Sequence, residues 1–357
     1  FCALVPQGQV AVRTIGLVAQ VIPAVPIKPQ EWLTDKPVRE KVLYQTDIGD
    51  GNADVYHIPG VNPRPAILLF LGVNPAGRDD ERVVNLGSAL ARAGFVVMVP
   101  WSDDMINKRI RLEDVNNLVH SFKYLSDRDD VDGDKIGMAG FCVGSSMVAI
   151  AAQNSAISDQ VALINFFGGY YDARDFLKQY ASHRTFYGDV VDTWDPNKLT
   201  EEVITIHLID GLDNNEEQEL LRGMFLDGGQ LVDLSGVSTH AQTIHKILKG
   251  GTLSEVDQLI KKLPYKIQER LDGLSPSTNV TNLTTKVFVM HDREDDLVPV
   301  EESRRLADAI DHHGDYVYTE FSFFQHLDPT QRVSILDFAS EAFKLYRHLY
   351  GILASLR

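Results

Sequence analysis

Three side chains far apart in this sequence form a set that performs acyl chemistry when a fold brings them together. The first is Cys142, at the centre of Gly140-Phe141-Cys142-Val143-Gly144, a G-x-C-x-G pattern. The related G-x-S-x-G pattern holds a serine on a sharp strand-to-helix turn, with its oxygen exposed above a sheet. A helix N-terminus supplies free N–H groups and a partial positive charge, and both favour a thiolate. The competing reading of Cys142 is an inert thiol in a glycine-rich turn, since free cysteine is among the most buried residue types.

The second side chain is an acid. Asp295 lies in D-x-x-V-P, directly after the apolar run "KVFVMHD", with Asp292 and Asp296 as rivals for the same role. The third is His326 in "TEFSFFQHLDPTQR", between the last expected strand and the last expected helix. Nucleophile, acid and histidine in this chain order are what a nucleophile-elbow hydrolase needs. The other histidines have weaker settings. His240 and His245 are five apart and fall on different helix faces, and His312 and His313 occupy a turn. They are assigned surface or core roles. An oxyanion hole needs two backbone donors. Val143, the residue after the cysteine, supplies one; Val73 in "FLGVNPAG" is the choice for the other, with Asn74 second.

These residues need a scaffold, and the apolar pattern supplies one. "EKVLYQTD" and "ADVYHIPG" read as two strands joined by a turn at Gly49-Asp50-Gly51. "RPAILLFLG", "FVVMVP", "KIGMAG" and "QVALINFFGG" are apolar throughout, as strands buried on both faces are. Helical spacing separates them at 81–93, closed by Gly94, and at 109–126, and again in "VGSSMVAIAAQ". The alternation resumes with "TKVFVMHD", "VEESRRLADAI", "YVYTEFS" and a long helix over 332–353. Strand–helix alternation predicts an α/β fold with a doubly wound, mostly parallel sheet and helices on both faces.

The expected organisation is an N-terminal arm at 1–39, core segments at 40–169 and 285–357, and an insertion at 170–284. The insertion has helical patches at 216–225 and 254–263 and reads as a mostly helical cap. It leaves and rejoins the core at the carboxyl ends of strands, where ligands bind in such sheets. Trp194, Phe225 and Tyr265 are its candidates to line an acyl pocket.

Composition narrows the function classes. The chain has 357 residues, 44% hydrophobic and 24% charged, as in ordinary globular proteins. Its net charge is −16 and no cluster of Lys and Arg stands out, which argues against nucleic acid as a partner. Two cysteines, Cys2 and Cys142, make neither a disulfide framework nor a cysteine-rich metal site. "DRDDVDGDKIG" fails as a calcium loop, because Arg128 and Ala139 would stand at its first and last ligand positions. Asn279 and Asn282 begin glycosylation sequons that matter only in a secretory setting. The chain starts at Phe1, and residues 14–27 carry no charge. That stretch reads as an arm packed on the domain or as the tail of a signal or anchor. An exported or membrane-proximal location is expected ahead of a cytoplasmic one, with membrane association only through what precedes Phe1.

The strand–G-x-C-x-G–helix segment, the D-x-x-V-P acid and the late histidine together resemble the dienelactone hydrolase family of α/β-hydrolases, and "VDGDKIGMAGFCVGSSMVAIAA" is similar to its elbow. The resemblance covers about 40–168 and 285–350. It implies an α/β-hydrolase fold with a Cys142–His326–Asp295 triad and no metal or organic cofactor. The expected activity is hydrolysis of a small carboxylic ester, lactone or thioester through an acyl-enzyme. An acyltransferase or peptidase on the same fold, and a non-catalytic ligand-binding protein, are the alternatives.

Overall fold

A computed structural model describes residues 6–22, 25–60, 62–229, 234, 236–322 and 335–357. Ten strands and fourteen α-helices are described. An eight-stranded sheet is built from β1 (Val38–Thr46), β2 (Gly49–His57), β3 (Arg64–Phe70), β4 (Val96–Trp101), β5 (Val131–Phe141), β6 (Val161–Phe167), β9 (Lys286–Asp292) and β10 (Tyr316–Phe321). Its order is β1-β2-β4-β3-β5-β6-β9-β10. β1 and β2 pair antiparallel, as do β2 and β4, and all other neighbours run parallel. The β1–β2 turn falls on Asp47-Ile48, two residues earlier than the glycines suggest. Gly49-Asp50-Gly51 belong to β2 and pair with Thr46, Gln45 and Tyr44.

The helices before the insertion are α1 (Pro6–Val21), α2 (Pro29–Leu33), α3 (Glu81–Arg92), α4 (Asp103–Ile106), α5 (Glu113–Ser126) and α6 (Val143–Ala152). The helix expected over 109–126 is observed as α5, which starts four residues later, at Glu113; α4 and Lys108, at φ +60°, lie before the expected span. Arg109, just after Lys108, pairs with Asp210 of the insertion.

Strand alternation sorts the core onto two faces. Ala66, Leu68 and Phe70 of β3 and Val96 and Met98 of β4 join one apolar cluster, with Leu118 of α5 and Met147 of α6. Ile67, Leu69, Val97 and Val99 face the other way, with Leu17 of α1 and Leu90 of α3. Leu353 of α14 (Ile335–Ser355) packs there too. Among the described residues no helix is long and apolar enough to cross a membrane.

Residues 170–284 carry α7 (Ala173–Ser182), the hairpin β7 (Arg184–Tyr187) and β8 (Val190–Thr193), α8 (Lys198–Ile209), α9 (Asn215–Phe225), α10 (Thr239–Lys249), α11 (Leu253–Ile260) and α12 (Tyr265–Gly273). α13 (Val300–Ile310) follows β9. Local signals start the helices of this segment. Asp172, Asn197, Asn214 and Ser238 cap α7 to α10, and Thr252 with Glu255 forms a capping box on α11. The hairpin has no counterpart in the sequence reading. It is only four residues a side, and β8 is exposed throughout, so no burial pattern marks it.

Candidate active site

Cys142 stands between β5 and α6 with φ +52° and ψ −136°, a conformation that non-glycine residues adopt only under constraint. Several contacts over-determine it. Its amide donates to the Phe167 carbonyl at 2.9 Å, and its own carbonyl accepts from Ser145 at 2.9 Å. The Ser145 hydroxyl donates to the Phe167 carbonyl at 2.8 Å and accepts from the Phe167 amide at 2.9 Å. The flanking glycines are required by space. A Cβ on Gly140 would lie 2.4 Å from the Ser145 Cα, and one on Gly144 2.6 Å from the Gly72 nitrogen. Cys142 is half-buried, and the first turn of α6 leaves the Val143 amide without an intrahelical acceptor.

Cys142 and Val143 border a cavity of about 580 Å³. Val73 and Asn74 line it as well, at the turn after β3. Asn74 Oδ1 accepts from the Ala76 amide and shapes that turn. Asp295 is buried in the loop after β9. Its Oδ1 accepts from the amides of Leu297 and Val298 at 2.8 and 3.0 Å. Leu297 and Val298 themselves line the cavity. His291, fully buried, bonds Ser303 Oγ and the Val298 carbonyl, and its Nε2 lies 3.5 Å from Asp295 Oδ2. That histidine braces the acid loop from within the core. Asp292 is buried at the end of β9 and accepts from the Glu294 amide. Asp296 is exposed and accepts from Asn197. His326 lies outside the described residues.

Three residues of the inserted segment donate to backbone carbonyls of the acid loop. The Trp194 indole donates to the Asp295 carbonyl, the Asn197 amide to the Asp296 carbonyl, and the Thr200 hydroxyl to the Leu297 carbonyl. Its apolar residues reach the cavity, but not those expected. Phe176, Val203, Ile204 and Leu208 line it. Tyr265 is 79% exposed, Phe225 packs against His245, and Trp194 packs against Phe176. A large aromatic residue signals burial somewhere; it does not say on which side of a helix pair.

Two further lining residues missed by sequence reasoning carry a titratable ring. Tyr170, just past β6, stacks on Phe176 with ring centroids 5.3 Å apart. Burial, and next the neighbouring Cys142, hold its phenol above the usual tyrosine range, so it stays a donor. His207 of α8 is the other. Its signal was available: in "VITIHLI" it stands four residues after Val203, on the helix face that Val203 makes apolar.

No protein-family model matches the chain, and no curated protein matches it. Solved structures do. The acylaminoacyl peptidase of Pyrococcus horikoshii matches at 12% identity and a TM-score of 0.50, over 90% of this chain and 42% of that one. A Mycobacterium tuberculosis puromycin-hydrolyzing peptidase matches at 16% and 0.53, over 90% and 39%. A hyperthermophilic esterase from the archaeon Pyrobaculum calidifontis matches at 14% and 0.50, over 98% and 92%. The chain thus spans about two fifths of the length of the two peptidases. These likenesses, with the sheet order, show that the fold is the α/β-hydrolase fold.

Proposed function

We propose that the chain is a carboxylic ester hydrolase that opens an ester, lactone or thioester through Cys142. The observation that carries this reading is the constrained Cys142 backbone at the N-terminus of α6, with its side chain on an apolar cavity. A strained residue held by this many contacts is characteristic of a reacting group. The resemblance of the elbow and the D-x-x-V-P segment to dienelactone hydrolases favours cysteine as a true nucleophile. The structural neighbours named above are peptidases and an esterase, which supports hydrolysis as the reaction class.

In this reading His326 takes the thiol proton and Cys142 Sγ bonds to the substrate carbonyl carbon. The carbonyl oxygen becomes an oxyanion held by the amides of Val73 and Val143. Collapse expels the alcohol or thiol, which takes the proton from His326, and leaves a thioester on Cys142. Water, deprotonated by His326, attacks that thioester; the acid leaves, and the proton returns to the thiolate. Asp295 orients His326 and stabilises its cation. Residues 170–284 act as a cap, and their bonds to the 295–297 loop couple cap position to the acid.

Turnover of p-nitrophenyl butyrate by the wild type, lost in Cys142→Ala, tests the assignment. A mass increase equal to one acyl group on Cys142, trapped at short times, would identify the intermediate. Equal turnover by Cys142→Ala would sink it.

A further inference from the structure

Five apolar side chains on the cavity wall pack against one core cluster yet stay only partly buried. They are Val21 of α1, Leu71 directly after β3, Leu86 of α3, Phe141 of β5 and Leu349 of α14. Apolar surface left uncovered on such residues is what an apolar ligand can bury. α1 is a fixed part of this wall, although it precedes the sheet in the chain. Lys28 Nζ donates to the carbonyls of Ala19, Gln20 and Ile22 at 2.8, 3.2 and 3.0 Å, meeting carbonyls that a helix end leaves unpaired. The Gln20 side chain donates to Asn85 Oδ1 of α3 at 2.9 Å, and Asn85 Nδ2 donates back to the Gln20 carbonyl at 3.4 Å. Val21 and Leu86 are the next residues on the two helices, so this pair sets the distance between them.

The polar side chains of the wall are already matched. Asp80 and Arg82, which line the cavity, pair with each other at 2.7 Å. Asn165 bonds His348, and Thr200 donates to the Leu297 carbonyl. Among the described residues of the wall no cation is left over to meet a carboxylate, and burying an unpaired charge is costly. Four of the five partly buried residues are leucine or valine, which offer a chain many equivalent contacts and a planar ring few. The volume, about 580 Å³, lies within the range of about 300–1,000 Å³ that holds drug-sized ligands, and exceeds what a short ester needs.

We propose that the Phe141 side of this cavity binds a long unbranched aliphatic chain of an uncharged ligand, with α1 as part of the wall that holds it. Calling that ligand a substrate, a neutral long-chain ester, rests on the hydrolase reading; the binding claim does not. Val21 and Leu349 then set how much chain is accepted.

Calorimetric titration with 1-hexanol, 1-octanol and 1-decanol tests the binding claim, with sodium decanoate as the charged counterpart. In wild type each added methylene should tighten binding about three- to four-fold. 1-Decanol should bind about ten-fold tighter than decanoate, or more. Val21→Trp and Leu349→Trp, which add bulk from α1 and from α14, should each weaken 1-decanol about ten-fold and 1-hexanol little. Leu43→Trp, at an exposed position of β1, should leave the series unchanged and so excludes general surface binding. Val21→Ala creates no clash and should weaken 1-decanol about three-fold; it carries the test if the tryptophan variants fail to fold. A flat wild-type series overturns the proposal. So does decanoate bound as tightly as 1-decanol, or wild-type binding of 1-decanol by folded Val21 and Leu349 variants. In parallel, kcat/KM is measured on p-nitrophenyl acetate, butyrate, octanoate and decanoate. The expected binding series without any ester turnover overturns the hydrolase reading and leaves this one standing; turnover with a flat binding series does the reverse.

Discussion

The Gly72 backbone nitrogen lies 2.6 Å from the point where a Cβ on Gly144 would stand, and a Cβ on Gly72 would lie 2.7 Å from the Gly144 nitrogen. The turn after β3 and the first turn of α6 therefore touch backbone to backbone. That contact sets the spacing between the Val73 and Val143 amides. Gly144→Ala must push the two turns apart. It is expected to lower unfolding stability by about 1–3 kcal/mol, as overpacking does, and to reduce kcat far more than KM. Gly72→Ala should be worse, because Gly72 also sits at φ +71°. Urea unfolding together with ester kinetics on each variant checks this, and a fully active Gly144→Ala would show that the spacing is not critical.

The three acids of the 292–296 loop should separate on mutation. Asp295→Asn keeps the acceptor for the Leu297 and Val298 amides but removes the charge, and should cut kcat about 10³–10⁴-fold. Asp292→Asn keeps its bond from the Glu294 amide and should stay within about ten-fold of wild type. Asp296→Asn, at an exposed site bonded to Asn197, should act on KM through the inserted segment more than on kcat. Equal losses in Asp292→Asn and Asp295→Asn would overturn the choice of acid.

How much of this was legible in the sequence depended on the physics of each part. The parallel strands were, because strands buried on both faces must be apolar throughout, as all six residues of β4 are. The elbow was, because only glycine fits at 140 and 144. The late start of α5 was not: residues 109–112 stand outside the helix, and Arg109 pairs with Asp210, 101 positions away. The same holds for Asp54, which lay unnoticed in "ADVYHIPG". It is fully buried and accepts from Arg39, Arg78 and the Trp101 indole, tying β2 to the segment that follows the Val73 turn. A carboxylate in a strand looks like a solvent-facing residue until its partners are located. The cavity lining was the least legible, because helical periodicity marks an apolar face without naming what that face meets.

His348 makes a pH prediction whose sign is fixed. It is buried, with Nδ1 on Thr319 Oγ1 and Nε2 on Asn165 Oδ1, and burial lowers its pKa from 6.5 to about 3. The folded protein leaves it neutral while the unfolded chain protonates it below pH 6.5. Its contribution to stability is therefore complete above pH 6.5 and is lost as pH falls toward 3. Between pH 7 and pH 5 wild type should lose about 2 kcal/mol relative to His348→Gln. Urea titrations of both proteins at the two values measure the difference directly. A pH-independent gap between them would mean that folded His348 takes up a proton in that range.

The lining of the cavity falls into two groups of residues, which are expected to form two arms that mutation can tell apart. Phe141 and Cys142 are consecutive, yet Phe141 packs with the cluster on one face of the sheet and Cys142 with the cluster on the other. The lining follows the same division. Ile204 and Leu208 of α8 and Leu271 of α12 belong on the Cys142 side; Val83 and Leu86 of α3 and Leu349 of α14 belong on the Phe141 side. A substrate opened at Cys142 would send its acyl part into one arm and its leaving group into the other. Leu86→Trp and Ile204→Trp should then narrow different series. One variant should lose about 10–200-fold in kcat/KM as the acyl chain is lengthened, at a fixed short alcohol. The other should lose a similar factor as the alcohol is lengthened, at a fixed acetyl group. Each should leave the partner series within a few-fold of wild type. If both variants cut the same series, the two groups of residues line one arm, and the partition at Cys142 carries no meaning for substrate placement.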